Sequence, residues 1–233
     1  MHDNPGRGAG LWYLSIVLIG PLRLIYIPSK LFVHGNAAAT VTNIGTHQWL
    51  FGAGIVSDLI GSVALVLLTL AFYRLFRDVD TNLAVPVVIF GGIMPALLNF
   101  VGVVADMGAL AIARGKDFLS VFSKPQLDAL AMLLLDLRNH QYTAAEILWG
   151  LWLFPLGILI YKSRFMPRFL GIWLTLGGLS YVALSLTGVM LPAYQDKVFK
   201  MSQPAMFGEL ALMLWLLIKG ARPLSRVGES API

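Results

Sequence analysis

The stretch FGELALMLWLLIKGAR, Phe207 to Arg222, decides the fold class. Thirteen of its sixteen residues are apolar or glycine. Nothing in it alternates with the period of two that a half-buried strand requires. It reads as a helix that crosses a membrane, because a lipid-buried backbone must pair its own polar groups. Yet Glu209 stands near its start. A carboxylate inside hydrocarbon costs free energy and marks a place where polar groups are used.

The rest of the chain is of the same kind. Of 233 residues 58% are hydrophobic and 12% charged, against about a quarter charged in soluble domains. Several other apolar runs reach the roughly 20 residues a spanning helix needs. The absence of cysteine excludes disulfides, thiolate metal sites and thiol nucleophiles together. The net charge of +5 needs no nucleic acid, because basic residues flanking helix ends produce the same excess.

The spacing predicts six spans: Leu11 to Pro28, Leu50 to Leu75, Leu83 to about Ala113, about His140 to Tyr161, Phe169 to Leu191, and Pro204 to Gly220. They form one all-α bundle over residues 11–222, after a polar lead at 1–10 and before a disordered tail at 223–233. An even number of spans puts both termini on one face. That face carries nine Lys and Arg in short segments, against seven spread over long loops on the other, which predicts cytoplasmic termini.

The outer loops carry helical signals. Asn36 stands as an N-cap before an Ala-rich stretch. Ser123 and Gln126 have capping-box spacing with Pro125 in the first turn. Leu127, Leu130, Leu134 and Leu137 then share one face, opposite Asp128, Asp136 and Arg138. This segment reads either as a helix lying along the outer interface or as an extension of the fourth span.

The even-numbered spans share a layout. Asp58 precedes Tyr73-Arg74, Glu146 precedes Tyr161-Lys162 at the same distance, and Glu209 precedes Lys219. The odd-numbered spans are softened by Gly20-Pro21, by Gly91-Gly92 with Pro95, and by Gly177-Gly178. The pattern suggests three parallel helical hairpins. It competes with the plainer account that basic residues flank inner helix ends and glycine is common in spans.

At 1.5 Å per residue, Asp58, Glu146, Glu209, Asp106, Arg23 and Asn99 all fall in the outer half of their spans. Scattered charges would be costly, so convergence on one polar site is the economical expectation. Arg23 would pair with one or two acids, leaving others to hold a proton, a hydrogen bond or a ligand. Each has a plainer reading: Arg23 and Asp106 reach the interface, and the glutamates bond across helix contacts. His34, His47 and His140 lie in outer loops or helix ends, but their spacing matches no metal-ligand motif. No cofactor is expected. His-Glu-x-x-His, Gly-x-Ser-x-Gly and phosphate-loop motifs are missing. The Trp and Tyr residues read as interfacial anchors.

Three segments carry a resemblance: GNAAATVTNI at Gly35 to Ile44, LWGLWLFPLGILIYKSRFMPRFLGIW at Leu148 to Trp173, and GELALMLWLLIKG at Gly208 to Gly220. Together they resemble a bacterial membrane family known only as domain of unknown function 4386. Lys162, Pro167, Arg168 and Gly171 are the most specific part. The resemblance implies a six-helix protein of the bacterial inner membrane, with Asp58 and Glu209 at family positions. It implies no activity.

The leading functional expectation is binding or transport of a small cationic or amphipathic ligand, or of protons. The site would be an outward-facing cavity lined by Asp58, Glu146 and Glu209, with Arg23 as counter-ion. The alternatives are a membrane enzyme acting on a lipid through paired carboxylates, and an accessory subunit. The lipid bilayer is the implied partner. A homo-oligomer or a membrane partner suits so small a bundle, and the chain reads as a binder more readily than as an enzyme.

Overall fold

The computed structural model describes residues 4–221, and all regular structure among them is helical. Six helical stretches are long and apolar enough to cross a membrane: Pro5–Leu31, Gln48–Phe76, Thr81–Ala113, Lys124–Ser163, Arg168–Met190 and Pro192–Ile218. The protein is therefore a multi-pass, all-α membrane protein. Four of these stretches differ from the sequence reading in ways that have physical causes.

The first span begins at Pro5, inside what the sequence presents as a polar lead. Helix α1 (Pro5–Pro21) starts there because Asn4 Oδ1 accepts from the N–H groups of Gly6 and Arg7, and proline suits a first helical turn. The span then passes through a π-helical turn, Leu22–Tyr26, into α2 (Ile27–Leu31). Pro28 lies six residues after the start of that turn, and its ring excludes the carbonyl of residue 24 from an ordinary α bond. The same device recurs in the third span. There α5 (Thr81–Val88) leads through the π turn Ile89–Ile93 into α6 (Met94–Ala113), with Pro95 again six residues after the start.

Between the first two spans, α3 (Ala37–Thr46) is capped by Asn36, whose side chain accepts from Ala39 N–H at 2.9 Å. The second span is α4 (Gln48–Phe76).

The fourth span is a correction. Helix α7 (Lys124–Leu151) is continuous, so the segment after Ser123 extends the span and is no separate interfacial helix. Gln126 accepts from Ser123 N–H at 2.9 Å, one half of the capping box. The helix breaks at Trp152 and resumes as α8 (Leu153–Ser163), since Pro155 leaves the Leu151 carbonyl without its α partner. The fifth span, α9 (Arg168–Met190), runs through Gly177-Gly178 without a break. The sixth, α10 (Gln195–Ile218), begins nine residues before Pro204. The tail from 223 lies outside the described residues.

Packing divides the chain into two compact units, and each takes residues from several spans. The first comprises the described parts of Met1–Ser15 and Thr143–Ile233 together with Val63–Ala96. Within it α9 packs against both α8 and α10, and α5 against α8. Glycines permit the closest approach. A Cβ on Gly157 would lie 2.6 Å from the Gly171 carbonyl, and one on Gly150 2.6 Å from the Gly178 carbonyl. The two contacts are seven residues apart on each side of the pairing, from Gly150 to Gly157 and from Gly171 to Gly178, as antiparallel helices in near backbone contact require. Tyr13, Phe72 and Trp152 form an aromatic group with ring centroids 6.2–6.4 Å apart. Tyr13 and Trp152 are buried there, so neither is an interfacial anchor.

The second unit comprises Ile16–Ser62 and Leu97–Tyr142. Its apolar core includes Ile27, Ile44, Phe51, Ile55, Val103 and Leu135. The rotation of α7 in this unit reverses a water-based reading of its faces. Asp128, Ala131, Leu135 and Arg138 are buried, whereas Leu130, Leu133 and Leu137 are exposed. Leu130 and Leu137 face outward because the surrounding solvent is hydrocarbon, and Asp128 and Arg138 turn inward to find partners. Leu127 and Leu134 are half-buried, and Asp136 stays exposed.

Candidate functional site

The charged residues of the second unit form a ring. Arg23 stands in the π turn, buried, immediately before the exposed Leu24 and Ile25. Its Nε donates to Asp58 Oδ2 at 2.8 Å and its terminal nitrogen to Asp106. Arg138 closes the circuit from α7. It donates to Asp58 Oδ2 at 2.6 Å, and its Nε lies 3.5 Å from Asp106 Oδ2. Two guanidiniums thus alternate with two carboxylates, and the formal charges cancel. All four residues are buried: 6% exposure for Arg23, 8% for Asp58, 0% for Asp106 and 2% for Arg138.

Neutral groups complete the ring. Asn99 Oδ1 and Gln141 Oε1 accept from Arg138 at 2.8 and 2.9 Å. Asn99 Nδ2 ties the arrangement to α4 through the Asp58 carbonyl at 3.1 Å and Ser62 Oγ at 2.8 Å. The Tyr142 hydroxyl accepts from Arg138 at 2.6 Å, and the Arg138 guanidinium lies 4.4 Å from the centroid of the same ring. Gly102 makes room for this, since a Cβ there would collide with the Arg138 and Gln141 side chains. A buried network of this kind is stable only when its members find partners.

Two atoms do not. Asp106 Oδ1 and Arg138 Nε are buried without a hydrogen-bond partner. Beside them is a cavity of about 100 Å³ lined by Arg23, Asp106, Leu135, Arg138, Asn139 and Tyr142, among others. An orphaned buried acceptor costs roughly 1–3 kcal/mol. Here the residue that carries it lines a pocket that also presents guanidinium donors and a phenol.

Of the residues singled out by sequence, Asp58, Asp106, Arg23 and Asn99 come together in this unit. Glu146 and Glu209 belong to the first unit. There Glu209 accepts from the Tyr13 hydroxyl and has Tyr181 as a second side-chain partner. Glu146 Oε2 is buried without a hydrogen-bond partner. The cavity in the second unit is lined by Arg23, Asp106 and Arg138, and Asp58 is not among its lining residues. Arg138 is the residue that sequence reasoning missed. The signal was present in the buried spacing Asp128, Ala131, Leu135, Arg138, which identifies one face of α7 once lipid is taken as the solvent.

The three histidines among the described residues do not join the ring. His34 is exposed, His47 Nδ1 lies 3.1 Å from the Asn43 carbonyl, and His140 Nδ1 lies 2.9 Å from the Asp136 carbonyl. Among the described residues no three His, Cys, Asp or Glu side chains are grouped as a metal would need.

A family model described as Domain of unknown function (DUF4386) matches residues 8–220. The chain belongs to that family. Among curated proteins, an uncharacterized protein of Archaeoglobus fulgidus is 35% identical over 81 residues, which are 35% of this chain. The match spans 46% of that relative's length. No solved structure matches the chain.

Proposed function

We propose that the protein binds a small, electrically neutral polar solute at the Arg23–Asp58–Arg138–Asp106 ring, as the substrate position of a carrier or channel. The observation that carries the reading is Asp106 Oδ1, an unpartnered acceptor on a fully buried residue that lines a cavity with two guanidiniums. The ring is already charge-balanced, so a cation or an anion would leave net charge in a low-dielectric site, which is expensive. A neutral or zwitterionic solute that donates to Asp106 and accepts from Arg23 or Arg138 leaves none. A cavity of about 100 Å³ is below the roughly 300–1,000 Å³ of drug-sized ligand pockets, which favours a small solute.

Helix positions support a site within the membrane. Asp106 is seven residues from the end of α6 at Ala113, about 10 Å along the helix. The Lys and Arg count supports both termini on the cytoplasmic side and the ring toward the outer leaflet.

The test is stopped-flow light scattering on proteoliposomes challenged with urea, formamide or glycine, with a pH-sensitive dye inside to report protons. Faster flux of at least one solute than in empty vesicles, reduced by Asp106→Asn, is the expected result. Solute fluxes equal to those of empty vesicles across the panel would overturn the reading, as would proton flux alone.

A further inference from the structure

The first unit carries a second polar site that the ring does not explain. The start of α1 and the end of α10 are tied together by backbone and side chain. Gly6 N–H donates to the Ala221 carbonyl at 3.1 Å, and Asn4 Oδ1 accepts from Ala221 N–H at 3.0 Å. Gly220 turns the chain with φ of 72°, in the left-handed region that glycine adopts without strain. This clasp holds Arg7 and Lys219 at one cleft of about 470 Å³, with Trp215 and Phe165 among its walls. That volume is in the ordinary range for small-molecule sites.

The electrostatics of the cleft are one-sided. Arg7 donates to the Ile218 carbonyl at 3.3 Å. Among the described residues neither Arg7 nor Lys219 has a carboxylate within ion-pair distance, and no acidic residue lines the cleft. Two cations held in one cleft repel each other until an anion lies between them. The cleft is also at the ends of the first and last spans, where helix termini meet lipid headgroups, and indole rings favour that level of a membrane.

We infer that this cleft binds the phosphate of an anionic phospholipid. Arg7 and Lys219 supply the charge, the Asn4 amide a further donor, and Trp215 and Phe165 an apolar wall for the glycerol and upper acyl segment. Basic pockets between spanning helices are suited to such headgroups because charge and apolar contact act on one molecule.

The experiment uses the full chain in detergent, titrated with phosphatidylglycerol and with phosphatidylcholine and read by native mass spectrometry. Phosphatidylglycerol binds more tightly than phosphatidylcholine, and its affinity falls about fivefold for each of Arg7→Gln and Lys219→Gln. Lys116→Gln, an exposed cation outside the cleft, leaves it unchanged. Far-UV circular dichroism confirms that the variants are folded, and the Asn4-mediated clasp is untouched by either substitution. Equal affinity for the two lipids, or a double variant that binds phosphatidylglycerol like the native chain, would overturn the inference. Inorganic phosphate that binds alone and displaces the lipid at equal concentration would overturn the lipid assignment in favour of a free anion. Neither result depends on the solute site in the other unit.

Discussion

Replacing Arg138 by Met tests the ring directly, because methionine fills much of the same volume and suits either lipid or core. The substitution removes the donors to Asp58, Asn99, Gln141 and Tyr142 and the ion contact with Asp106. Asp58 keeps only Arg23, and the balanced ring becomes net negative. Breaking a buried ion pair from one side costs about 3–5 kcal/mol. Three neutral acceptors lose a charged donor as well, and relaxation of Gln141 and Tyr142 offsets part of that, so about 3–5 kcal/mol is the expected loss. Restoring the balance with Asp58→Asn in the same chain should recover part of it, giving a coupling of about 2 kcal/mol in a double-mutant cycle. The assay is reversible SDS denaturation in mixed micelles followed by circular dichroism. Asp136→Asn, two residues away on α7 with a 61% exposed side chain, should leave the midpoint where it is. A loss below about 1 kcal/mol for Arg138→Met, or strict additivity with Asp58→Asn, would refute the ring as a coupled charge network.

Two further predictions concern the first unit. Gly157→Ala should destabilise by about 1–3 kcal/mol in the same assay, because the new Cβ meets the Gly171 carbonyl, which is backbone and cannot turn aside. As a control in the second unit, Gly52→Ala in α4, where nothing lies within 4 Å, should be neutral or mildly stabilising. The exposed pair Lys162–Asp80, at 2.9 Å, holds the Asp80 carboxyl below the usual carboxylate range. A carboxylate depressed on folding stabilises at pH above its unfolded value, and that contribution disappears as pH falls through the lower folded value. NMR titration of Asp80 should therefore show an upward shift toward about 3.9 in Lys162→Met. An unchanged titration would refute the pair.

The span count and the all-α class were legible because hydropathy and helical rise add up locally along the chain. The caps at Asn36 and Ser123 were legible for the same reason, since each acts within four residues. Arg138 was not. Its meaning depends on which way α7 is rotated, and its position opposite a leucine stripe has opposite consequences in water and in lipid. Gly177-Gly178 misled in a similar manner. Glycine in a span permits either a break or a close approach, and packing of Gly178 against Gly150 made it the latter.

By itself, then, the sequence determined an all-α membrane protein with six helices long and apolar enough to span. Only the tertiary structure decided that two arginines answer two aspartates in one unit while Glu209 turns to Tyr13 in the other. Depth along a helix follows from counting residues. Partnership follows from helix rotation, which is set by neighbours distant in the chain.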